Sequence, residues 1–151
     1  MKTSLRYLFF IAVLLLAQSC SKSLNGTGQP PIAGSWVLSE SSKNSGNGWY
    51  YFDTGLEQGV FRFYNSGAAE YDDGYNFMRG NWRIRTISSG YYDQYGNWNN
   101  DLHDSFEIHV YDRVTQGSAD LNFDDVVFTG NRIIATNYNG YTVARYTFRR
   151  Y

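Results

Sequence analysis

The chain has only two histidines, His103 and His109, and both lie close to Asp104 and Ser105. Serine, histidine and aspartate together invite a nucleophilic triad. Such a triad needs its members delivered by different elements, with the base oriented by a buried acid. Here they crowd one segment. His109 alternates with Glu107 and Tyr111 against the apolar Phe106, Ile108 and Val110, and His103 falls in a loop, so both read as solvated histidines. Oxygen ligation is the second candidate chemistry. Asp93, Asn97, Asn99, Asp101 and Asp104 share one polar stretch and could surround Ca²⁺, which takes oxygen donors. Their spacing matches no calcium loop, and Asp and Asn are ordinary turn formers. No Gly-rich phosphate loop, His-Cys cluster or nucleophile elbow is present. The expectation is a protein that is not an enzyme, with no catalytic residue, no resident metal and no cofactor.

Aromatic residues, at 19 % of the chain, are the remaining chemical resource. The insert from 88 to 104 holds Tyr91, Tyr92, Tyr95 and Trp98 beside Asp93, Asn97 and Asn99. Flat rings next to amides and carboxylates suit stacking on sugar rings while hydrogen-bonding their hydroxyls. The same rings could instead fold back as a lid over the mouth of a barrel. The lid is the expectation; surface contact with a glycan or a protein is the alternative.

The elements that must position these side chains are strands. Val60 to Tyr64 alternates, turns on Asn65-Ser66-Gly67 and returns through Ala68 to Tyr71. Phe61 and Phe63 oppose Arg62; Trp82 and Ile84 oppose Arg83 and Arg85. A period of two marks strands with one wet and one dry face. The same period puts Trp36, Leu38 and Glu40 on one face, and Ala144, Tyr146, Phe148 and Arg150 on another. Leu121 to Phe128 and Arg132 to Asn137 read as two strands, with residues 112 to 120 as loop. Asn139-Gly140 is a strong hairpin signal. No helical period is sustained. The fold class is therefore all-β: an antiparallel meander of about eight to ten strands, closed or nearly closed into a barrel, since closure removes edges that an open sheet would expose. About eight strands leave an interior that side chains fill, or one that admits a small ligand.

The N-terminus reads as an address. Lys2 and Arg6 precede the apolar run Tyr7 to Ala17, of secretory-signal length and shorter than the roughly 20 residues a spanning helix needs. Cys20 is the only cysteine, which rules out an intramolecular disulfide. Its setting, Leu16-Ala-Gln-Ser19 followed by Cys20, resembles the lipobox of bacterial lipoproteins. That resemblance implies cleavage of residues 1–19, palmitate-type acylation at Cys20 and anchoring to a membrane. With Ser21 rather than Asp after it, the implied place is the outer membrane, facing the periplasm. The alternative is an export signal followed by an unmodified cysteine. Residues 20–31 read as a tether and 32–151 as the domain, about 130 mature residues with its lipidated start, enough for one core. The chain carries −1, and losing Lys2 and Arg6 takes it to −3. The arginines are scattered, so no nucleic-acid partner is expected.

Gly34-Ser-Trp36 near the start and an arginine on the last strand resemble the lipocalin superfamily, in particular lipocalin-like domains of bacterial lipoproteins. Phe61 to Gly67 followed by Gly80-Asn-Trp82 resembles the short bacterial versions. The resemblance implies that Trp36 closes one end of the barrel with Arg150 packed over its ring. It further implies a small, largely apolar ligand lined by Phe61, Phe63, Trp82, Ile84, Phe106 and Ile108. A filled structural barrel is the third possibility.

Overall fold

The computed structural model describes residues 32–151. The signal at 1–19, Cys20 and the tether up to residue 31 lie outside the described residues. Among the described residues there are twelve strands and no helix: β1 (Gly34–Asn44), β2 (Trp49–Tyr51), β3 (Val60–Phe63), β4 (Ala68–Asp72), β5 (Phe77–Ser88), β6 (Tyr91–Tyr92), β7 (Trp98–Asn99), β8 (Leu102–Tyr111), β9 (Ser118–Phe123), β10 (Asp125–Thr129), β11 (Arg132–Tyr138) and β12 (Val143–Arg150). Every pairing is antiparallel. Ten strands form one sheet in the order β10-β11-β12-β1-β3-β4-β5-β8-β9, with β2 added to β1, and β6 and β7 form a separate hairpin.

The first and last strands of the domain pair, with Trp36 opposite Arg150 and Asn44 opposite Val143. The strands ending the order, β9 and β10, are chain neighbours separated only by Asp124, and no ladder joins them. The meander is therefore open along this one seam. The cause is local. Asp124 donates its amide to the Thr136 carbonyl at 2.8 Å, and its carboxylate accepts the Tyr138 amide at 2.7 Å, so the corner is pinned to β11. The single strand expected over Leu121 to Phe128 breaks there. Residues 118–120, expected in a loop, open β9 instead.

Alternation sets the core. Phe61, Phe63, Tyr71, Trp82, Phe106 and Phe148 are buried. Phe63 meets Trp82 and Phe106 edge-on, with centroids 6.1 and 5.7 Å apart, and Phe61 meets Phe148 at 5.6 Å. Offset and edge-on pairs of this kind add to what burial alone contributes. Gly80 lets β5 close on β8, because a Cβ there would overlap the His109 carbonyl. At one end Trp36 donates its indole N–H to the Ile32 carbonyl at 2.7 Å. The Arg150 guanidinium lies 5.0 Å over the Trp36 ring and donates to the Ala33 carbonyl at 2.9 Å.

One face assignment changes. Leu38 pairs with Phe148 and Glu40 with Thr147, so Ser39 is an extra residue in β1. A bulge of this kind shifts every later side chain to the opposite face. Glu40 therefore leaves the face of Trp36 and Leu38 and points outward, toward Arg145.

Candidate contact surface

The sequence-predicted residues separate into two groups. Phe61, Phe63, Trp82, Phe106 and Ile108 are buried against one another, and Ile84 packs half-buried at their margin. These side chains belong to one contiguous cluster, and neither of the two concavities described below is lined by any of the six.

The insert folds as a hairpin on the outside of the sheet. Tyr91 pairs with Asn99 and Tyr92 with Trp98. Its turn is built by Asp93, whose carboxylate accepts the amides of Tyr95 at 2.9 Å and Asn97 at 2.8 Å, while Gly96 supplies a φ of 86°. Burial works against ionising Asp93, yet the amides of Asn97 and Tyr95 outweigh it and hold the carboxyl below its usual range.

Two side chains from the outer face of the sheet hold this hairpin. Thr136 on β11 donates its hydroxyl to the Tyr92 carbonyl at 2.6 Å, and Arg145 on β12 donates to the Gln94 carbonyl at 3.0 Å. Thr136 and Arg145 are themselves cross-strand partners. The Arg145 guanidinium also lies 4.3 Å over the Trp49 ring. Tyr92 packs on Tyr138 with centroids 4.7 Å apart. Tyr91 stacks on His103 at 3.9 Å and donates its hydroxyl to Asp101 at 2.7 Å. Burial, then the Asp101 hydrogen bond, push the Tyr91 hydroxyl well above its ordinary value. Of the four insert rings, Tyr91 and Tyr92 are anchors. Tyr95 and Trp98 face solvent, 70 % and 58 % exposed. The hairpin thus packs on side chains of β11 and β12 and, through Tyr91, on His103 of β8.

His103 is on β8 rather than in a loop, and Tyr91 covers it, which is why it is buried rather than solvated. Its Nδ1 lies 3.0 Å from the Asp101 carbonyl, and its Nε2 meets no partner. Ser105 donates to the Arg85 carbonyl at 3.2 Å, and Asp104 accepts from Thr86 at 2.7 Å, so the three do not converge as a relay. His109 stands on the outer face with Nδ1 2.7 Å from the Asp120 carboxylate. Asp93, Asp101 and Asp104 each serve a different local partner. Among the described residues no three of His, Cys, Asp and Glu gather as metal ligands.

Beside the hairpin is a concavity of about 320 Å³, lined by Glu40, Gln94, Tyr95, Arg132, Ile134, Arg145 and Thr147. A wider groove of about 830 Å³ lies at the opposite end of the β5–β8 ladder, between the turns carrying Tyr75 and Val114. Trp49, Arg132, Thr136, Tyr138 and Arg145 were invisible as site residues in the sequence. Only the cross-strand register reveals them.

The fold and this surface define an all-β, single-sheet domain carrying a fixed aromatic hairpin on its outer face. No protein-family model, curated protein or solved structure matches the chain, so its function is argued from this geometry.

Proposed function

We propose that this protein is a lipid-anchored, non-enzymatic envelope module that contacts glycan through Tyr95 and Trp98. The observation that carries the reading is a pair of solvent-facing rings on a hairpin held to the main sheet at its first strand and its turn. Preorganised rings lose little conformational freedom on stacking, which is what makes an exposed aromatic pair useful for binding. An interior apolar ligand is the weaker reading, because the six side chains assigned to it contact one another. The lipocalin-like barrel, nearly closed, remains part of the proposal. It is supported by pairing of the first and last strands and by the adjacency in the chain of the two strands flanking the seam. Lipidation at Cys20 and placement on the outer membrane follow from the lipobox-like residues around it.

The test uses the full-length protein in detergent on a polysaccharide array. Replacing Tyr95 and Trp98 by Ala should lower retention by about 10- to 30-fold, as for other buried-on-binding aromatic anchors, with the melting temperature unchanged. Retention indifferent to both changes removes the glycan reading.

A further inference from the structure

We infer that the saccharide taken by this surface is acidic, its carboxylate held between Arg132 and Arg149 while a ring of the sugar lies on Tyr95; this rests on the hairpin being the contact surface. Arg132 and Arg149 are directly opposite each other across β11 and β12. Direct partners in an antiparallel pair point to the same side, with Cβ atoms about 4.5–5.5 Å apart, and like charges so placed destabilise the sheet. Both are exposed, and neither forms an ion pair or side-chain hydrogen bond among the described residues. Arg62, Arg79 and Arg83 on the outer face each meet a carboxylate, Asp72, Glu70 and Glu107 in turn, and Arg85, which meets none, stands opposite the neutral Ser105 rather than a second arginine.

Arg132 lines the 320 Å³ concavity together with Tyr95, and Arg149 is its direct cross-strand neighbour. The other arginine lining it, Arg145, is committed to the hairpin and to Glu40, 3.7 Å away. Asp93, the nearest hairpin carboxylate in sequence, is turned into its own turn. The face is thus cationic in a chain whose net charge is −1. Two guanidinium forks carried by directly opposed residues suit a planar oxyanion, which accepts paired N–H bonds from each. Glu40 adds a repulsive charge that a carboxylate, with one negative charge, meets less than a dianionic phosphate would.

The experiment compares full-length protein in detergent on matched polysaccharides: polygalacturonate and other uronic-acid polymers, each beside its methyl ester, which keeps the rings and removes the charge. The acid forms should be retained at least tenfold more tightly. R132Q and R149Q should each bring acid-form retention down to the ester level, leave ester retention unchanged and not lower the melting temperature. The acid preference should shrink with added salt. Equal retention of acid and ester with Trp98 still required overturns the acidic ligand but leaves the contact surface standing. Loss of every Trp98-dependent retention overturns both. Binding of the two arginines to phosphatidylglycerol vesicles but to no uronic-acid polymer assigns the pair to a membrane surface and overturns the saccharide.

Discussion

Two aromatic clusters in this molecule use the same residue types for opposite ends. Inside, Phe61, Phe63, Trp82, Phe106 and Phe148 come from strands at fixed alternating positions and consume one another's surface. Outside, Tyr91 and Tyr92 are spent on anchoring, and Tyr95 and Trp98 are left facing water. Removing a ring from the first cluster takes away burial and leaves a void. Removing Tyr95 takes away only what it could touch, and removing Trp98 takes away in addition one edge-on contact with Tyr92. The difference teaches that a high aromatic content does not by itself mark a ligand cavity; what matters is whether a ring's neighbours are other rings or solvent.

The largest effects should therefore come from the interior. Phe63→Ala and Trp36→Ala should each destabilise by about 3–5 kcal/mol, as buried aromatic truncations do, measured by denaturant unfolding. Gly80→Ala should be of the same order, since the new methyl meets backbone rather than a movable side chain. A thermally indifferent Phe63→Ala would mean that this cluster is not the packed core. Next in size is the hairpin's attachment. Thr136→Val keeps the shape but leaves the Tyr92 carbonyl unsatisfied, costing about 1–3 kcal/mol. Amide exchange across residues 91–99 should accelerate while that of β3 and β5 does not. Uniform acceleration would show that the hairpin and the core open as one unit.

The smallest effect separates the clusters by pH. Asp93 has a folded pKa below its unfolded value, so its contribution is complete above the usual carboxylate range near pH 4. It is lost as pH falls through the folded value, and hairpin amides should loosen first in acid. Tyr71, in the core, is raised from 10.0 to about 12 by burial. Its contribution is complete below pH 10 and lost as pH rises toward 12. Since Tyr91 in the hairpin is raised as well, alkali should strike both clusters, while acid acts on the hairpin through Asp93. Hairpin amides of residues 91–99 that stay as protected in acid as at neutral pH would undo the role given to Asp93.

The interior was the legible half. Phe61-Arg62-Phe63 and Trp82-Arg83-Ile84 state their faces by alternation, and Trp36 and Arg150 do meet across β1 and β12. Local breaks were not legible. A bulge at Ser39 and a corner at Asp124 depend on hydrogen bonds to strands far along the chain, and nothing in the flanking residue types announces either. The hairpin was harder still. Its pattern is polar and aperiodic, and its holders Thr136 and Arg145 lie 44 and 51 residues beyond the carbonyls they bind. His103 shows the same limit: its own strand pattern gives it to solvent, and only Tyr91, arriving from the insert, buries it.

The chain's four tryptophans divide evenly between the clusters, which makes their indole N–H resonances a direct readout. Trp36 and Trp82 donate inside, to Ile32 and Tyr64 carbonyls at 2.7 and 2.9 Å, whereas Trp98 belongs to the hairpin and Trp49 lies beside it, under Arg145. Titrating the full-length protein in detergent with a uronic-acid oligosaccharide, and separately with a panel of apolar small molecules, should shift the Trp98 signal with the saccharide and leave Trp82 unmoved in both series. A Trp82 shift with an apolar compound, with Trp98 silent throughout, would put the binding site in the interior and contradict the account.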